Sequence, residues 1–223
     1  ANMSHEFRAP LNAIIGFSQL INTQIMGPID NQTYVDYGKD IELSGLHLLQ
    51  IINDILDITK IESGKLDIEA QDISYADLAR QAAAMLSGDI EKKQITFENE
   101  LPDEELVIRG DHQLLRQVLV NLLSNAVKYT QEGGDIFLSV NTPDDASIEI
   151  SVADNGIGIA AENMAKIMEP FGQVESSLSR ANGGVGLGLP LSKKMIEAHG
   201  GTLTIASTID VGTTATVWLP LTP

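Results

Sequence analysis

The sequence predicts an α-helical hairpin able to form a dimeric four-helix bundle, followed by an α/β sandwich. Three observations carry this. Two apolar stripes at helical spacing lie on either side of Gly27-Pro28 within the first 67 residues. Past Gly64, helical patterns alternate with short β-branched runs. The glycine-rich stretch Asn182-Gly183-Gly184-Val185-Gly186-Leu187-Gly188-Leu189 then runs straight into a helical pattern at Pro190 to Ala198. A chain of 223 residues allows one or two domains, and the expected division is 1–67 and 68–223.

In the first segment Phe7, Leu11, Ile14, Ser18, Ile21 and Ile25 recur at alternating spacings of four and three. Ile41, Ser44, Leu48, Ile51, Ile55 and Ile58 repeat the pattern after the break. Ile15, Leu49, Ile52 and Leu56 widen these stripes beyond what one hairpin covers, so two hairpins are expected to pair. His5 lies roughly 200° around the helix from Phe7 and faces outward with Ala9, Asn12 and Gly16. A lone histidine is usually a solvated surface group. Here Glu6 is adjacent, Pro10 removes the bond back to the Glu6 carbonyl, and the neighbours on that face are small, which together suit an accessible nucleophile.

The second segment reads as a helix near Tyr75 to Lys92, strands near Ile95 to Glu98 and Leu106 to Arg109, and a strong helix from Asp111 to Tyr129. Strands follow at Ile136 to Asn141 and Ser147 to Ala153, joined through Thr142-Pro143-Asp144-Asp145. A last pair, Thr202 to Ser207 and Thr213 to Leu219, turns through Asp210-Val211-Gly212. The sheet should be largely antiparallel.

Leu115, Val118, Leu119, Leu122 and Ala126 make a core face on the Asp111 helix, while Gln117, Asn121, Asn125 and Lys128 share an opposite arc. Asparagine is a poor helix former, so two in mid-helix call for a reason beyond solvation. Carboxamide oxygens beside an ammonium suit a metal-nucleotide complex. The turn Asp154-Asn155-Gly156-Ile157-Gly158-Ile159 follows a strand. Its acid either caps the turn or accepts a hydrogen bond from an exocyclic amine in an apolar pocket, favouring adenine over guanine.

The glycine stretch reads either as a flexible linker or as a phosphate cradle at a helix N-terminus. It lacks the Gly-Lys-Ser/Thr ending of a P-loop and the βαβ context of a dinucleotide fold, which disfavours an oxidoreductase. The polar segment from Gly172 to Gly183 is long for a connection and reads as a lid or a disordered stretch, with Arg180 able to reach a terminal phosphate if it closes.

Fourteen basic against thirty-one acidic residues give a formal net charge of -17, which repels nucleic acid and anionic lipid. Zero cysteines exclude disulfides and thiolate metal sites and fit a reducing compartment. No run of eighteen apolar residues and no leader pattern occurs, so this fragment is expected to be cytoplasmic and free of membrane contact, the attachment of the parent protein being left open. The chain opens at Ala1-Asn2-Met3 already inside a helical pattern, and is therefore expected to be a piece of something longer.

Together these residues resemble the catalytic core of sensor histidine kinases. Ser4-His5-Glu6-Phe7-Arg8-Ala9-Pro10-Leu11 looks like the H box and Asn121 to Tyr129 like the N box. Asp154 to Gly158 resembles the G1 box, Glu169-Pro170-Phe171-Gly172 the F box, Gly184 to Leu189 the G2 box, and Gly212-Thr213-Thr214 the final glycine motif. The Gly27-Pro28-Ile29 turn and the run from Ser44 to Lys65 are similar to alphaproteobacterial cell-cycle kinases of the PleC and DivJ type.

The resemblance implies a homodimeric phosphotransfer hairpin, then a Bergerat-type domain using ATP and Mg²⁺. It implies that Asn125 holds Mg²⁺, that Asn121, Lys128 and Arg180 manage phosphates, and that Tyr129 with Gly186, Leu187, Gly188 and Leu189 lines the nucleotide. Asp154, in a turn with Gly156, Gly158 and Ile159, would read adenine together with Thr213. His5 Nε2 would attack the γ-phosphate while Glu6 accepts from Nδ1–H. The phosphoryl group would then pass to an aspartate on a response-regulator receiver domain.

ATP-hydrolysing relatives such as gyrase, Hsp90 and MutL carry a glutamate base four residues before the metal-binding asparagine. Asn121 stands there in this chain, which favours transfer over hydrolysis. Many family members carry Thr or Asn four residues after the histidine to position the water that dephosphorylates the regulator. Ala9 has no group to do so, so weakened phosphatase activity is expected. The alternative class, a scaffold that binds nucleotide without transferring, is opposed by the intact His5, Glu6, Asn125, Asp154 and glycine loop.

Overall fold

The computed structural model describes residues 2–64, 66–101, 105–144, 146–172 and 185–221, with side chains of the first helix described from Pro10 onward. Two compact units divide the chain, Ala1–Ser63 and Gly64–Pro223. Among the described residues, no helix is long and apolar enough to cross a membrane.

The first unit is a hairpin of α1 (Asn2–Asn22), with Pro10 inside it, and α2 (Gln32–Glu62). Gly27 takes φ +126 in the turn between them. Asn31 caps α2, its Oδ1 accepting from the Thr33 N–H at 3.0 Å. Glu42 receives the side-chain amides of Gln19 and Asn22 at 2.9 and 3.1 Å, fixing the register of the pair.

The seam inside one hairpin differs from the expected one. Leu11, Ile15 and Ser18 of α1 are buried, as are Val35, Gly38, Gly45 and Ile58 of α2. A Cβ at Gly38 would stand 2.8 Å from Ile21 Cγ2, and one at Gly45 would stand 2.8 Å from Ile15 Cγ1. These two glycines, two turns apart, let the helices approach closely. Five residues of the expected seam, Ile14, Ile21, Ile41, Leu48 and Ile55, are 39–49% exposed in the single chain.

The second unit contains β1 (Gln71–Ser74), α3 (Tyr75–Lys92), β2 (Thr96–Asn99), β3 (Val107–Gly110) and α4 (His112–Tyr129). It continues with β4 (Asp135–Asp144), β5 (Ser147–Asp154), a 3-10 turn at Ala161–Asn163 and the short helix α5 (Met164–Ile167). The last elements are α6 (Gly188–Ala198), β6 (Thr202–Thr208) and β7 (Gly212–Pro220). A five-stranded sheet runs in the order β2-β4-β5-β7-β6, parallel at β2/β4 and antiparallel elsewhere. β1 and β3 pair separately as an antiparallel ribbon. The core joins Ile136, Leu138, Ile148, Ile150, Val152 and Val217 of the sheet with Leu115, Leu119, Leu122, Leu191, Met195 and Ile196 of α4 and α6, all buried.

Both ends of α4 are tied down. At its start Asp111 Oδ1 accepts from the N–H groups of Gln113 and Leu114 at 2.9 and 3.1 Å. The Asp111 N–H donates to His199 Nε2 at 3.0 Å, while His199 Nδ1 lies 2.7 Å from the Met195 carbonyl, so the end of α6 rests on the start of α4. At its end Lys93 Nζ donates to the carbonyls of Val127, Lys128 and Thr130 at 2.7, 2.9 and 3.0 Å. The Tyr129 carbonyl receives the Ile157 N–H at 3.3 Å. A cation at the negative end of the helix dipole and a loop N–H thus satisfy carbonyls that the helix leaves open.

Candidate functional site

The second half of α4, the loop after β5, the start of α6 and the β6–β7 hairpin enclose a cavity of about 540 Å³ in the second unit. Asn121, Asn125, Lys128 and Tyr129 line it from α4, but Gln117 does not. Asp154, Gly158 and Ile159 line it from the loop, Gly186, Gly188 and Leu189 from the helix start, and Thr213 from β7.

Each group has a distinct setting. Asn121 Nδ2 donates to Ser192 Oγ at 2.8 Å, and a Cβ at Gly188 would lie 2.2 Å from Asn121 Oδ1. Glycine there lets the α4 carboxamide lie over the first turn of α6. Among the described residues no side chain caps α6 at Leu187, and Gly188 and Leu189 of its first turn, where a helix leaves N–H groups open, line the cavity, an arrangement that suits an anion. Gly186, at φ +76, offers its carbonyl to the Phe171 N–H at 3.0 Å. Lys128 Nζ stands 4.9 Å from the centre of the Tyr129 ring.

Asp154 Oδ1 accepts from the N–H groups of Gly156 and Thr213 at 2.9 and 3.3 Å. Its other oxygen has no hydrogen-bond partner among the described residues. Burial pushes the Asp154 carboxyl above the ordinary carboxylate range, with those two N–H groups pulling the other way. Gly158, at φ +65, approaches the Thr208 carbonyl so closely that a Cβ would lie 2.0 Å from it. The Asp210 N–H bonds the Ile157 carbonyl at 2.9 Å, latching the loop to the hairpin.

Two residues expected to line the site do not. Leu187 is 2% exposed and joins the core, because the chain turns at Gly186 before α6 begins. Gly156 is buried behind the cavity, where a Cβ would meet the Tyr129 carbonyl at 2.5 Å. Arg180 and the expected lid from Gln173 to Gly183 lie outside the described residues, as does Gly184. His5 and Glu6 lie in α1 of the first unit, ahead of Pro10, where side chains are not described. Asn163, Ile205 and Ile209 also line the cavity but carried no signal in the sequence, because the fold alone brings them there.

The sequence matches the His Kinase A (phospho-acceptor) domain over residues 1–64. Over residues 110–223 it matches the histidine kinase-, DNA gyrase B- and HSP90-like ATPase family. The chain is 42% identical over 224 residues to the non-motile and phage-resistance protein of Caulobacter vibrioides, covering 99% of this chain and 26% of that protein. Identity is also 42%, over 225 residues, to the circadian input-output histidine kinase CikA of Synechococcus elongatus, covering 99% and 29%. To the cell-division control histidine kinase PdhS of Brucella suis it is 38% over 234 residues, covering 100% and 22%. The chain thus spans between about a fifth and a third of these curated relatives.

Among solved structures, full-length ShkA in complex with AMPPNP superposes with a TM-score of 0.81 at 30% identity, covering 99% of this chain and 45% of that one. The histidine kinase ThkA in complex with the response regulator TrrA gives 0.62 at 26%, covering 100% and 61%. The matches to a phospho-acceptor domain and an ATPase domain, together with these relatives, show that the chain belongs to the histidine kinases, as the catalytic core of a sensor kinase.

Proposed function

We propose that this chain works as a homodimeric, ATP-dependent protein histidine kinase that passes its phosphoryl group to an aspartate of a response-regulator receiver domain. The observation that carries the proposal is the convergence of Asn121, Asn125, Lys128, Tyr129, Asp154 and Thr213 on one cavity beside the first turn of α6. Residues 1–67 serve as the dimerisation and phosphotransfer domain and 68–223 as the catalytic domain. The stripe of Ile14, Ile21, Ile41, Leu48 and Ile55, exposed in one hairpin, is the surface a second copy covers.

Asp154 accepts from the adenine amine and Tyr129 packs beside the base. Asn121, Lys128 and Arg180 hold phosphate oxygens, with the N–H groups of Gly188 and Leu189. Among the described residues no group of three or more His, Asp or Glu could hold a metal. The Mg²⁺ would therefore come with the phosphates and take a single neutral oxygen from Asn125. When bound, it neutralises charge on the phosphate oxygens. His5 Nε2 attacks the γ-phosphorus as the bond to the ADP oxygen breaks, and Glu6 holds the Nδ1 proton so that Nε2 keeps its lone pair.

Transfer prevails over hydrolysis because the carboxamide of Asn121, already committed to Ser192, cannot act as a base on water. The complex of ThkA with TrrA supports a receiver as the acceptor. Ala9 leaves regulator dephosphorylation slow, and Ala9→Thr is expected to raise it; equal rates for the two chains would overturn that part. With γ-labelled Mg-ATP the label should remain on the protein until a receiver is added. Release as free phosphate without labelled protein would overturn the transfer reading.

A further inference from the structure

We infer that Ser207 sets which nucleobases the cavity accepts, by fixing the direction in which the Thr213 hydroxyl points. The inference rests on the nucleotide-binding reading of the cavity and goes beyond it to a residue outside the lining.

Ser207 lies in β6, paired across the ladder with Thr213 of β7. Its Oγ has three neighbours: the Ile159 N–H at 2.8 Å, the Gly212 carbonyl oxygen at 2.9 Å and Thr213 Oγ1 at 2.9 Å. A hydroxyl has one proton and two lone pairs. The Ile159 N–H can only donate and the Gly212 carbonyl can only accept. Ser207 therefore spends its single proton on Gly212, and Thr213 must be the donor in the contact between the two hydroxyls. All three capacities of Ser207 are then used.

The consequence falls on the cavity. With its proton directed at Ser207, Thr213 keeps only lone pairs for a ligand. Asp154, which lines the same end, has one oxygen held by the N–H groups of Gly156 and Thr213 and offers the other as an acceptor. The Asp154 and Thr213 side chains therefore present acceptors alone to a ligand. A base with an exocyclic amine, such as adenine, is matched. A base with a carbonyl in the same place, such as hypoxanthine, sets that oxygen against two acceptors and finds no donor for it there. Without the Ser207 hydroxyl, Thr213 can rotate and donate to that carbonyl, and the preference weakens.

The test is equilibrium binding of ATP and ITP to the whole chain in the parent, Ser207→Ala and Ser207→Thr forms. Losing the Ile159 anchor weakens both nucleotides together, so the ratio of the two dissociation constants isolates the hydroxyl effect. The ratio of ITP to ATP should fall about tenfold in Ser207→Ala and return to the parent value in Ser207→Thr. Should the alanine chain fail to fold, Ser207→Cys fills the site with a slightly larger thiol while weakening the bonds and should shift the ratio in the same direction. An unchanged ratio in a folded variant overturns the inference while leaving the nucleotide site intact. A parent chain that binds neither nucleotide overturns the nucleotide reading itself.

Discussion

Replacing Gly188 by alanine should destabilise the parent chain yet stabilise a chain that already carries Asn121→Ala. The added methyl would stand 2.2 Å from Asn121 Oδ1 and 3.0 Å from its Nδ2, so the carboxamide must swing away. It then loses its 2.8 Å bond to Ser192, a hydroxyl only 2% exposed. Stranding such a buried group costs about 1–3 kcal/mol. Alanine is the better helix former by at most about 1 kcal/mol, and by less in a first turn. The net effect in the parent is a loss of about 1–2 kcal/mol. With Asn121 already truncated, both the obstruction and the hydrogen bond are gone and only the propensity gain remains. The two positions should therefore couple by about 2 kcal/mol. The single tryptophan, Trp218, lies in β7, so its fluorescence follows unfolding of the second unit. A coupling of that size appears as a change of roughly 4–8 °C in the effect of Gly188→Ala on Tm between the two backgrounds. Effects agreeing within about 0.5 kcal/mol in both backgrounds would refute the contact.

Lys93→Met should lower the stability of the second unit by about 2–3 kcal/mol, since it removes three charged hydrogen bonds and the cation at the end of α4; unchanged Trp218-monitored unfolding would show the cap to be idle. Asp154→Asn separates stability from binding. Because burial raises the folded pKa of Asp154, its protonated form favours the fold, and that contribution is lost as pH rises through the raised value. At neutral pH the neutral amide should therefore leave Tm unchanged or higher, while ATP affinity falls about 10–100-fold for want of the carboxylate acceptor; calorimetric titration showing parent-like affinity would refute the assignment. For the same reason, ATP affinity of the parent should begin to weaken on acidification above the pH expected of an ordinary carboxylate, and a binding profile flat down to that range would contradict the burial of Asp154.

Periodicity made the architecture of the second unit readable. The α4 ligand face was legible because Asn121, Asn125 and Lys128 repeat at helical spacing, and all three line the cavity. β1 escaped notice because a four-residue strand with only Ile73 buried has no alternation to detect; its partner β3 creates it through the Ile73–Ile108 register. The close approach inside the hairpin was not legible because Gly38 and Gly45 have no hydrophobic signal, although their lack of a Cβ is what lets α1 and α2 meet. Leu187 stands between glycines in the sequence, but the turn at Gly186 carries it into the core while Leu189 faces the cavity. The links Asn121–Ser192 and Ser207–Thr213 arise from tertiary placement, and no local pattern announces them.

The most direct test of the central claim is the chemical stability of the label after incubation with γ-labelled Mg-ATP, comparing the parent with His5→Ala. A phosphoramidate on His5 should be acid-labile and alkali-stable in the parent and absent from the variant. Label that survives acid, or that persists in His5→Ala, would contradict phosphoryl transfer to His5.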